Sequence, residues 1–152
     1  MSRSELYHVG IVVPDLESAR DHFGLLLGLV WGPIVEGPVE LRDADGNDIV
    51  VPNRICYSVE APHIELIEET PGTVWVCNEY SNLHHIGFWS DNLVGDSVDL
   101  AATRCPLDVM GRDGTHAPVN FTYHRDPLGV RIEHVDVNIR SVMEQFVFVR
   151  PE

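Results

Sequence analysis

Two histidines and two glutamates occupy matching places in two similar halves of the chain. The first half contains YHVG at residues 7–10 and HIE at residues 63–65, and the second contains HHIG at residues 84–87 and RIE at residues 131–133. In each half an imidazole comes first and a carboxylate follows on a later apolar segment. Side chains of these two types can hold a divalent metal ion where they converge. The pattern predicts four metal ligands: His8, Glu65, His85 and Glu133.

This donor set defines a group of metals and a type of chemistry. With imidazole and carboxylate ligands and no thiolate, Zn, Co, Ni, Mn and Fe(II) are all suitable. Four protein ligands would leave one or two positions on the ion for water or substrate. A metal that binds two substrate oxygens stabilises an enolate, so that a carboxylate can remove a proton alpha to a carbonyl. We expect Glu133 to be this catalytic base and Glu65 to be its partner on the opposite face.

The two halves also share the order of their secondary structure. Residues 6–13 and 83–90 have the apolar character of strands, and each is followed by an Asx helix cap and a helical segment. Three further extended segments complete each half, which gives the order β-α-β-β-β twice. Half a chain of this size buries too little apolar surface to fold alone, so we expect the halves to pair.

We therefore predict an α+β fold in which two paired β-α-β-β-β modules form a curved-sheet cleft. The modules are expected at residues 6–69 and 83–137 of a single domain over residues 1–152. Residues 138–152 are expected to form a C-terminal tail that begins with a short helix.

Some local details of the first module are also predicted. The first helix is expected to follow Asp15 as its N-cap. Its apolar residues fall on one helical face: Leu16, Ala19, Phe23, Leu26 and Leu27. Residues 49–51 and 54–59 are expected to be extended and to belong to the β-rich part of this module.

Alternation of side chains along a strand predicts which residues lie near the ligands. Gly10 and Gly87 each follow a ligand histidine by two residues and would leave room beside it. His84 is expected to be structural or to face solvent. Aromatic and basic side chains on the same faces, or on neighbouring strands, are candidates for the substrate pocket. They are His63, Trp89, Phe121, Tyr123 and Arg131.

Composition narrows the classes of function. The net charge is −14, which argues against binding of nucleic acid. All ten basic residues are arginine, which excludes a Schiff-base lysine, a lysine base and a P-loop lysine. The three cysteines are widely spaced, and we expect reduced, packed thiols. No apolar run approaches the roughly 18 residues of a membrane span, and no signal peptide is recognised, so a soluble cytoplasmic protein is expected.

The quoted motifs, taken in order over about residues 6–137, resemble those of the vicinal oxygen chelate superfamily. This superfamily contains glyoxalase I, methylmalonyl-CoA epimerase, bleomycin-resistance proteins and extradiol dioxygenases, and the epimerase and glyoxalase I-like branch is the most similar. The resemblance implies the paired-module fold, often as a homodimer. It also implies a divalent metal held by His8, Glu65, His85 and Glu133, in the order His, Glu, His, Glu.

The function that the resemblance implies is that of a metal-dependent isomerase, epimerase or lyase. Such an enzyme would act through a metal-stabilised enolate on a small oxygenated or acyl substrate. Two alternatives remain open from the sequence. One is an Fe(II) extradiol-type dioxygenase, and the other is a non-catalytic protein that binds a small molecule or confers resistance. In every case the expected partner is a small molecule, without nucleic acid or membrane.

Overall fold

The computed structural model describes residues 5–152 of the chain. The strands are β1 Glu5–Val13, β2 Val35–Asp43, β3 Asp48–Tyr57, β4 His63–Glu68, β5 Leu83–Ser90, β6 Leu107–Gly111, β7 Phe121–Arg125 and β8 Arg131–Asp136. The helices are α1 Leu16–Leu27, α2 Leu93–Ala102 and α3 Arg140–Phe146, with a 3-10 turn at Val137–Ile139. The first four residues of the predicted domain over 1–152 lie outside the described residues. Within residues 5–152, no helix has the length and apolar character needed to cross a membrane.

The eight strands form one closed sheet in the order β1-β4-β3-β2-β6-β7-β8-β5. Each half supplies four neighbouring strands, and its first strand runs parallel to its last, β1 to β4 and β5 to β8. The halves meet at two antiparallel seams, β1–β5 and β2–β6. This arrangement confirms the predicted α+β fold, in which two β-α-β-β-β halves form a curved sheet.

Helix α1 begins at its predicted N-cap, where a carboxylate oxygen of Asp15 accepts a hydrogen bond from the backbone N–H of Ser18 at 2.7 Å. Leu16, the first residue of the helix, is buried, whereas Leu26 and Leu27 are 63% and 59% exposed. The predicted apolar face of the helix is therefore buried only in part, and its last two leucines are exposed. Only the part of the helix up to Phe23 packs against the sheet, and the last turn lies at the surface.

Strand β3 is longer than predicted. The extended segments predicted at residues 49–51 and 54–59 belong largely to one continuous strand. Pro52 lies between them, opposite Pro38 of β2. Strand β4 pairs with β3 only from Ile55 onward. Pro52 lacks a backbone N–H, and on the β4 side no strand within residues 5–152 lies opposite it that would need this hydrogen-bond donor.

The C-terminal tail packs across one end of the seam between β1 and β5. Met143 of α3 belongs to a buried cluster with Tyr7 of β1 and Trp89 of β5. The ring of Phe148 stacks on His63 at a centroid distance of 3.8 Å. The predicted short helix in the tail is confirmed, and the tail serves as a wall shared by both halves.

The layers beneath the first two helices differ in polarity. Under α1 the buried layer is apolar and includes Leu16, Cys56 and Leu66. Under α2 several buried side chains are polar: Ser90, Asp96, Thr122, His124 and His134. The three cysteines are free thiols, as the sequence predicts for reduced, packed residues.

Candidate metal centre

The two histidines predicted as metal ligands lie side by side across the seam between β1 and β5. In the antiparallel register His8 is opposite Gly87, and His85 is opposite Gly10. A Cβ atom at Gly10 would overlap the imidazole of His85, and a Cβ atom at Gly87 would overlap the imidazole of His8. Each glycine therefore makes room for the histidine of the other half, which the sequence pattern did not reveal.

The two glutamates reach the same place from the strands that flank this seam. Glu65 of β4 is beside Gly10 in the parallel β1–β4 pair, and Glu133 of β8 is beside Gly87 in the parallel β5–β8 pair. The glycines thus leave space between a glutamate on one side and a histidine on the other. The structure brings all four predicted ligand residues together, and all four are buried.

The distances between the four donor groups fit a single ion. The Nε2 atoms of His8 and His85 are 2.6 Å apart. The Oε2 of Glu133 lies 2.9 Å from Nε2 of His8 and 3.2 Å from Nε2 of His85, and the Oε2 of Glu65 lies 3.4 and 3.1 Å from the same atoms. Ligand atoms about 2.0–2.2 Å from one ion lie roughly 2.8–3.6 Å from each other. The four nitrogen–oxygen distances are in that range, and the nitrogen–nitrogen distance is slightly shorter.

Two buried oxygen atoms support the same interpretation. The Oε2 atoms of Glu65 and Glu133 have no aligned hydrogen-bond donor, although the imidazole nitrogens are within ion-pair distance. Buried carboxylate oxygens almost always have a partner. Carboxylate oxygens and imidazole nitrogens that face one another are the donor types that a borderline divalent ion binds, so these residues fit such an ion.

Burial disfavours charge on all four groups, but their mutual attraction is stronger. Burial lowers the pKa of His85, yet the neighbouring Glu133 and Glu65 raise it to about 9, and the same balance raises the pKa of His8. Burial raises the pKa of Glu65 and Glu133, but the two imidazoles hold both carboxyl pKa values below their usual range. Both glutamates are therefore ionised, which is the form that ligates a metal.

The second oxygen of Glu65 is fixed by a tyrosine. The hydroxyl of Tyr57, which is next to Glu65 in the β3–β4 register, donates a hydrogen bond to its Oε1 at 2.7 Å. Tyr123 has the same place beside Glu133 in the β7–β8 register. Its hydroxyl oxygen instead accepts a hydrogen bond from the indole N–H of Trp75 at 3.3 Å. The two glutamates therefore differ in how firmly they are held.

His84 supports the ligand His85 through a chain of hydrogen bonds. Its Nε2 lies 2.8 Å from the carbonyl oxygen of Val74, and its Nδ1 lies 2.9 Å from Nδ1 of His85. Because a carbonyl only accepts, Nε2 of His84 carries the proton, and Nδ1 of His84 accepts from Nδ1–H of His85. Burial, with Arg131 and His85 nearby, lowers the pKa of His84 to about 3, which keeps it neutral.

In the neutral form of His85, which is the form that binds a metal, this chain keeps the proton on Nδ1 and leaves Nε2 facing the other donors. This role of His84 was not predicted from the sequence. The doubled histidine at residues 84–85 was the available signal. His8 lacks such support, because its buried Nδ1 has no hydrogen-bond partner.

A cavity of about 340 Å³ adjoins the four ligands, and both Glu65 and Glu133 line it. Phe121 and Tyr123, two of the predicted pocket residues, also line it. Other residues of the cavity wall were not predicted from the sequence. These are Trp75 from the connector between the halves and three residues of the tail, Ile139, Met143 and Val147.

The structure places the other three predicted pocket residues outside the cavity lining. The Nδ1 of His63 is 2.7 Å from the carbonyl oxygen of Ser58, and the tail covers its ring. Trp89 stacks on Tyr7 at 3.9 Å, where the tail also packs. The guanidinium of Arg131 is held by Asp108 at 2.7 Å, which keeps it away from the cavity.

Comparison with known protein families identifies one match. The Glyoxalase/Bleomycin resistance protein/Dioxygenase superfamily matches residues 7–123 of the chain. That region includes His8, Glu65 and His85 and ends before Glu133. A comparison with curated proteins gives no match.

Several solved structures are similar to this fold. A methylmalonyl-CoA epimerase in complex with methylmalonyl-CoA and NH4+ has a TM-score of 0.60 at 18% identity, over 89% of this chain and 95% of that one. A variant of the Streptomyces coelicolor methylmalonyl-CoA epimerase with bound 2-nitronate-propionyl-CoA has the same score and identity, over 89% and 98%. The Mycobacterium tuberculosis methylmalonyl-CoA epimerase has a TM-score of 0.53 at 20% identity, over 86% of each chain. At these identities the similarity shows the fold.

Proposed function

Because the chain belongs to the Glyoxalase/Bleomycin resistance protein/Dioxygenase superfamily, we propose that it is a metal-dependent isomerase, epimerase or lyase. Its substrate in this proposal is a small molecule with two neighbouring oxygens and a proton alpha to a carbonyl. One observation carries the proposal: two imidazoles and two carboxylates meet within 4.8 Å at the wall of a cavity. The epimerases of the same fold support the inclusion of epimerisation among the candidate reactions.

In this proposal His8, Glu65, His85 and Glu133 hold the divalent ion. Zn, Co, Ni, Mn and Fe remain the candidates, because the donor set contains only imidazole and carboxylate groups. A bound ion would supply Lewis-acid stabilisation of the negative charge that develops on the substrate oxygens. The buried cluster excludes bulk water from that charge, which strengthens every electrostatic interaction around it.

Glu133 is the carboxylate that we assign to proton transfer. Its pKa is held low by the nearby His85 and His8 in spite of burial, so it is ionised and able to accept a proton. Glu65 is less free to move, because Tyr57 holds its Oε1 at 2.7 Å. Glu65 therefore serves mainly as a ligand. If Glu133 alone removes and returns the proton, isomerisation follows, whereas epimerisation requires delivery from the opposite face.

Metal analysis tests the metal centre directly. The purified protein, or the protein reconstituted with zinc, is expected to hold a stoichiometric divalent ion, because four buried donors converge. His8→Ala and Glu133→Ala should each lose most of this metal. His22→Ala is the control, since His22 is an exposed residue of α1. Failure of the wild-type protein to bind any of the candidate metals would refute the proposed function.

Solvent deuterium exchange tests the proton transfer. The metal-loaded protein is incubated in D₂O with a panel of α-hydroxyketones and acyl thioesters, and deuterium at the alpha carbon is measured by mass spectrometry. We expect exchange with at least one class of compound, and its loss in Glu133→Gln. A metal-loaded protein that exchanges none of the panel would contradict the assignment of isomerase, epimerase or lyase chemistry.

A further inference from the structure

We infer that the substrate is an uncharged and largely apolar molecule, of the aromatic α-hydroxyketone type, rather than an acyl-CoA ester. This inference rests on the proposed function, because it names the substrate class of the same cavity. It departs from the epimerases of similar fold, which were solved with CoA esters. The inference depends on what lines the cavity and on where the positive charges of the chain lie.

The walls of the cavity are apolar away from the metal ligands. Aliphatic side chains on both halves of the sheet face it, among them Val39, Ile55 and Val135. Trp75 and Phe121 add aromatic surface. A ring that fills this space would bury apolar area on both partners, which is worth roughly 25 cal/mol per Å².

Within residues 5–152, no arginine or histidine is part of the cavity lining. The chain contains no lysine. The carboxylates in the lining are those of Glu65 and Glu133, and the proposed function assigns both of them to the metal. Away from the metal ligands, an anionic group such as a CoA phosphate would lose its hydration in this cavity without gaining a cationic side chain as a partner.

Many of the arginines that the structure describes already have acidic partners elsewhere. The guanidinium of Arg54 contacts Glu68 at 2.6 Å, and Arg42 contacts Asp48 at 2.7 Å. Arg131 is held by Asp108 at 2.7 Å. These charges are neutralised where they stand, so they give little attraction to the phosphates of a CoA ester, and the net charge of −14 repels such a group.

The remaining polar groups in the lining suit a neutral partner. Asn53 and Asn120 contribute amide side chains, which both donate and accept hydrogen bonds without carrying charge. The volume of about 340 Å³ is near the lower end of ligand pockets, which span roughly 300–1,000 Å³. A molecule of one or two rings with two neighbouring oxygens matches these walls, whereas the long polar CoA group does not.

Calorimetric titration with defined probes tests this substrate class. Benzoin carries two neighbouring oxygens and two phenyl rings without charge, mandelate is an anion of related shape, and methylmalonyl-CoA represents acyl-CoA esters. Each probe is titrated into the wild-type protein with and without zinc. We expect benzoin to bind at least tenfold more tightly than either anion. Binding of mandelate or methylmalonyl-CoA that equals or exceeds that of benzoin would overturn the inference.

Variants that narrow the cavity locate the binding. Val39→Phe adds a ring inside the lining and should weaken benzoin at least tenfold while leaving zinc affinity unchanged. Val35→Trp makes the same test at a cavity residue that is 40% exposed, where folding is less at risk. Val50→Phe is the control, because Val50 is 64% exposed and is not part of this lining. Unchanged benzoin binding in both cavity variants would contradict the inference.

Failure of this inference can be separated from failure of the proposed function. Benzoin that binds without exchange of its alpha proton would support the cavity assignment and count against the proposed reaction. Deuterium exchange into an acyl-CoA ester by a protein that does not bind benzoin would support the proposed reaction and overturn the substrate class.

Discussion

In the first half of the chain, the buried layer behind the two clustered residues is apolar. In the second half, the corresponding layer is polar. In the β3–β4 pair, Cys56 and Leu66 are neighbours beneath α1, and both are buried. In the β7–β8 pair the same positions are taken by Thr122 and His134, which are also buried. The inner faces, by contrast, both carry a tyrosine opposite a ligand glutamate. The two halves are therefore alike on the inner face, which carries the four clustered residues, and differ in the outer layer.

The halves also differ in which ligand they fix. The first half holds its glutamate, because Tyr57 donates to Glu65, and the second holds its histidine, because His84 accepts from His85. His8 and Glu133 lack these particular supports, and they lie 2.9 Å apart. In the proposed metal site, one fixed residue from each half would define the position of the ion, while the other two would keep more freedom to move.

The largest expected effect is on the rate of alpha-proton exchange, and it should differ between variants of the two glutamates. At saturating metal, Glu133→Gln should slow alpha-proton exchange by about 10²–10⁴-fold, because an amide cannot accept the proton. Glu65→Gln should cost clearly less, since Glu65 is assigned mainly as a ligand. Exchange rates measured by mass spectrometry in D₂O decide between them. A greater loss in Glu65→Gln would reverse the assignment of the base.

The two glycines of the seam give the next effect. Gly10→Ala should displace His85, and Gly87→Ala should displace His8, so each should lower zinc affinity by about 100-fold or more. Gly10→Ala should lower zinc affinity more than Gly87→Ala does. The reason is that His84 is hydrogen-bonded to His85 on its other side, which leaves His85 less room to move. Competition with a chromogenic chelator measures the affinities. Gly37→Ala is the control, since a Cβ there meets nothing within 4 Å, and a similar loss in this control would show that the effect is not local.

A smaller effect on metal affinity should distinguish the residues that directly precede the two histidines, His84 and Tyr7. His84→Leu removes the acceptor for His85, and loss of such a supporting group typically lowers metal affinity about 10–100-fold. Tyr7→Phe, at the matching place in the first half, should change it little, because Nδ1 of His8 has no hydrogen-bond partner to lose. His84→Gln, whose amide oxygen can accept, should recover part of the affinity. Equal affinities in His84→Leu and wild-type protein would mean that the chain to Val74 does not support the site.

The polar layer of the second half predicts a modest dependence of stability on pH. The imidazole of His124 lies between Ser97 and the carbonyl of Cys105, and burial lowers its pKa below the ordinary 6.5. Below pH 6.5 the unfolded chain therefore binds a proton at His124 that the folded chain does not, and stability falls as the pH falls.

The contribution of His124 is at most about 1.4 kcal/mol per pH unit. Denaturant unfolding of His124→Gln between pH 5 and 7 should show a shallower slope than wild-type protein, although the variant is less stable at neutral pH. His22→Gln, at an exposed site in the first half, should keep the wild-type slope. An unchanged slope in His124→Gln would show that the polar layer does not couple folding to protons.

The repeated motif was enough to predict the paired modules and the residues that meet at the cluster. Each module repeats the same alternation of apolar and polar residues, so local pattern and repeat agreed on the strands. The role of Gly10 could not be predicted in full, because its partner His85 is brought beside it only by the β1–β5 seam. No local pattern indicates such a long-range antiparallel pair.

Other parts of the site gave no periodic signal. Trp75 belongs to the connector between the halves, and Met143 to the tail, yet both line the cavity. Their positions follow from packing against both halves, which only the folded chain provides. The exposed Leu26 and Leu27 show the opposite case, in which a helical pattern was present but the helix extends past the surface that it packs on. Continuity of β3 through Pro52 likewise depends on where β4 begins to pair.

The glycine of each half lies against the histidine of the other half, and this arrangement has a consequence for how the sequence can evolve. Gly10 accommodates a side chain of the second half, and Gly87 accommodates one of the first. A mutation to a larger residue at either glycine could therefore be compensated only by a smaller residue at the histidine in the opposite half. Because the two halves share this seam, the residues at these positions in one half cannot change independently of those in the other. Substitutions there are expected to be acquired in pairs.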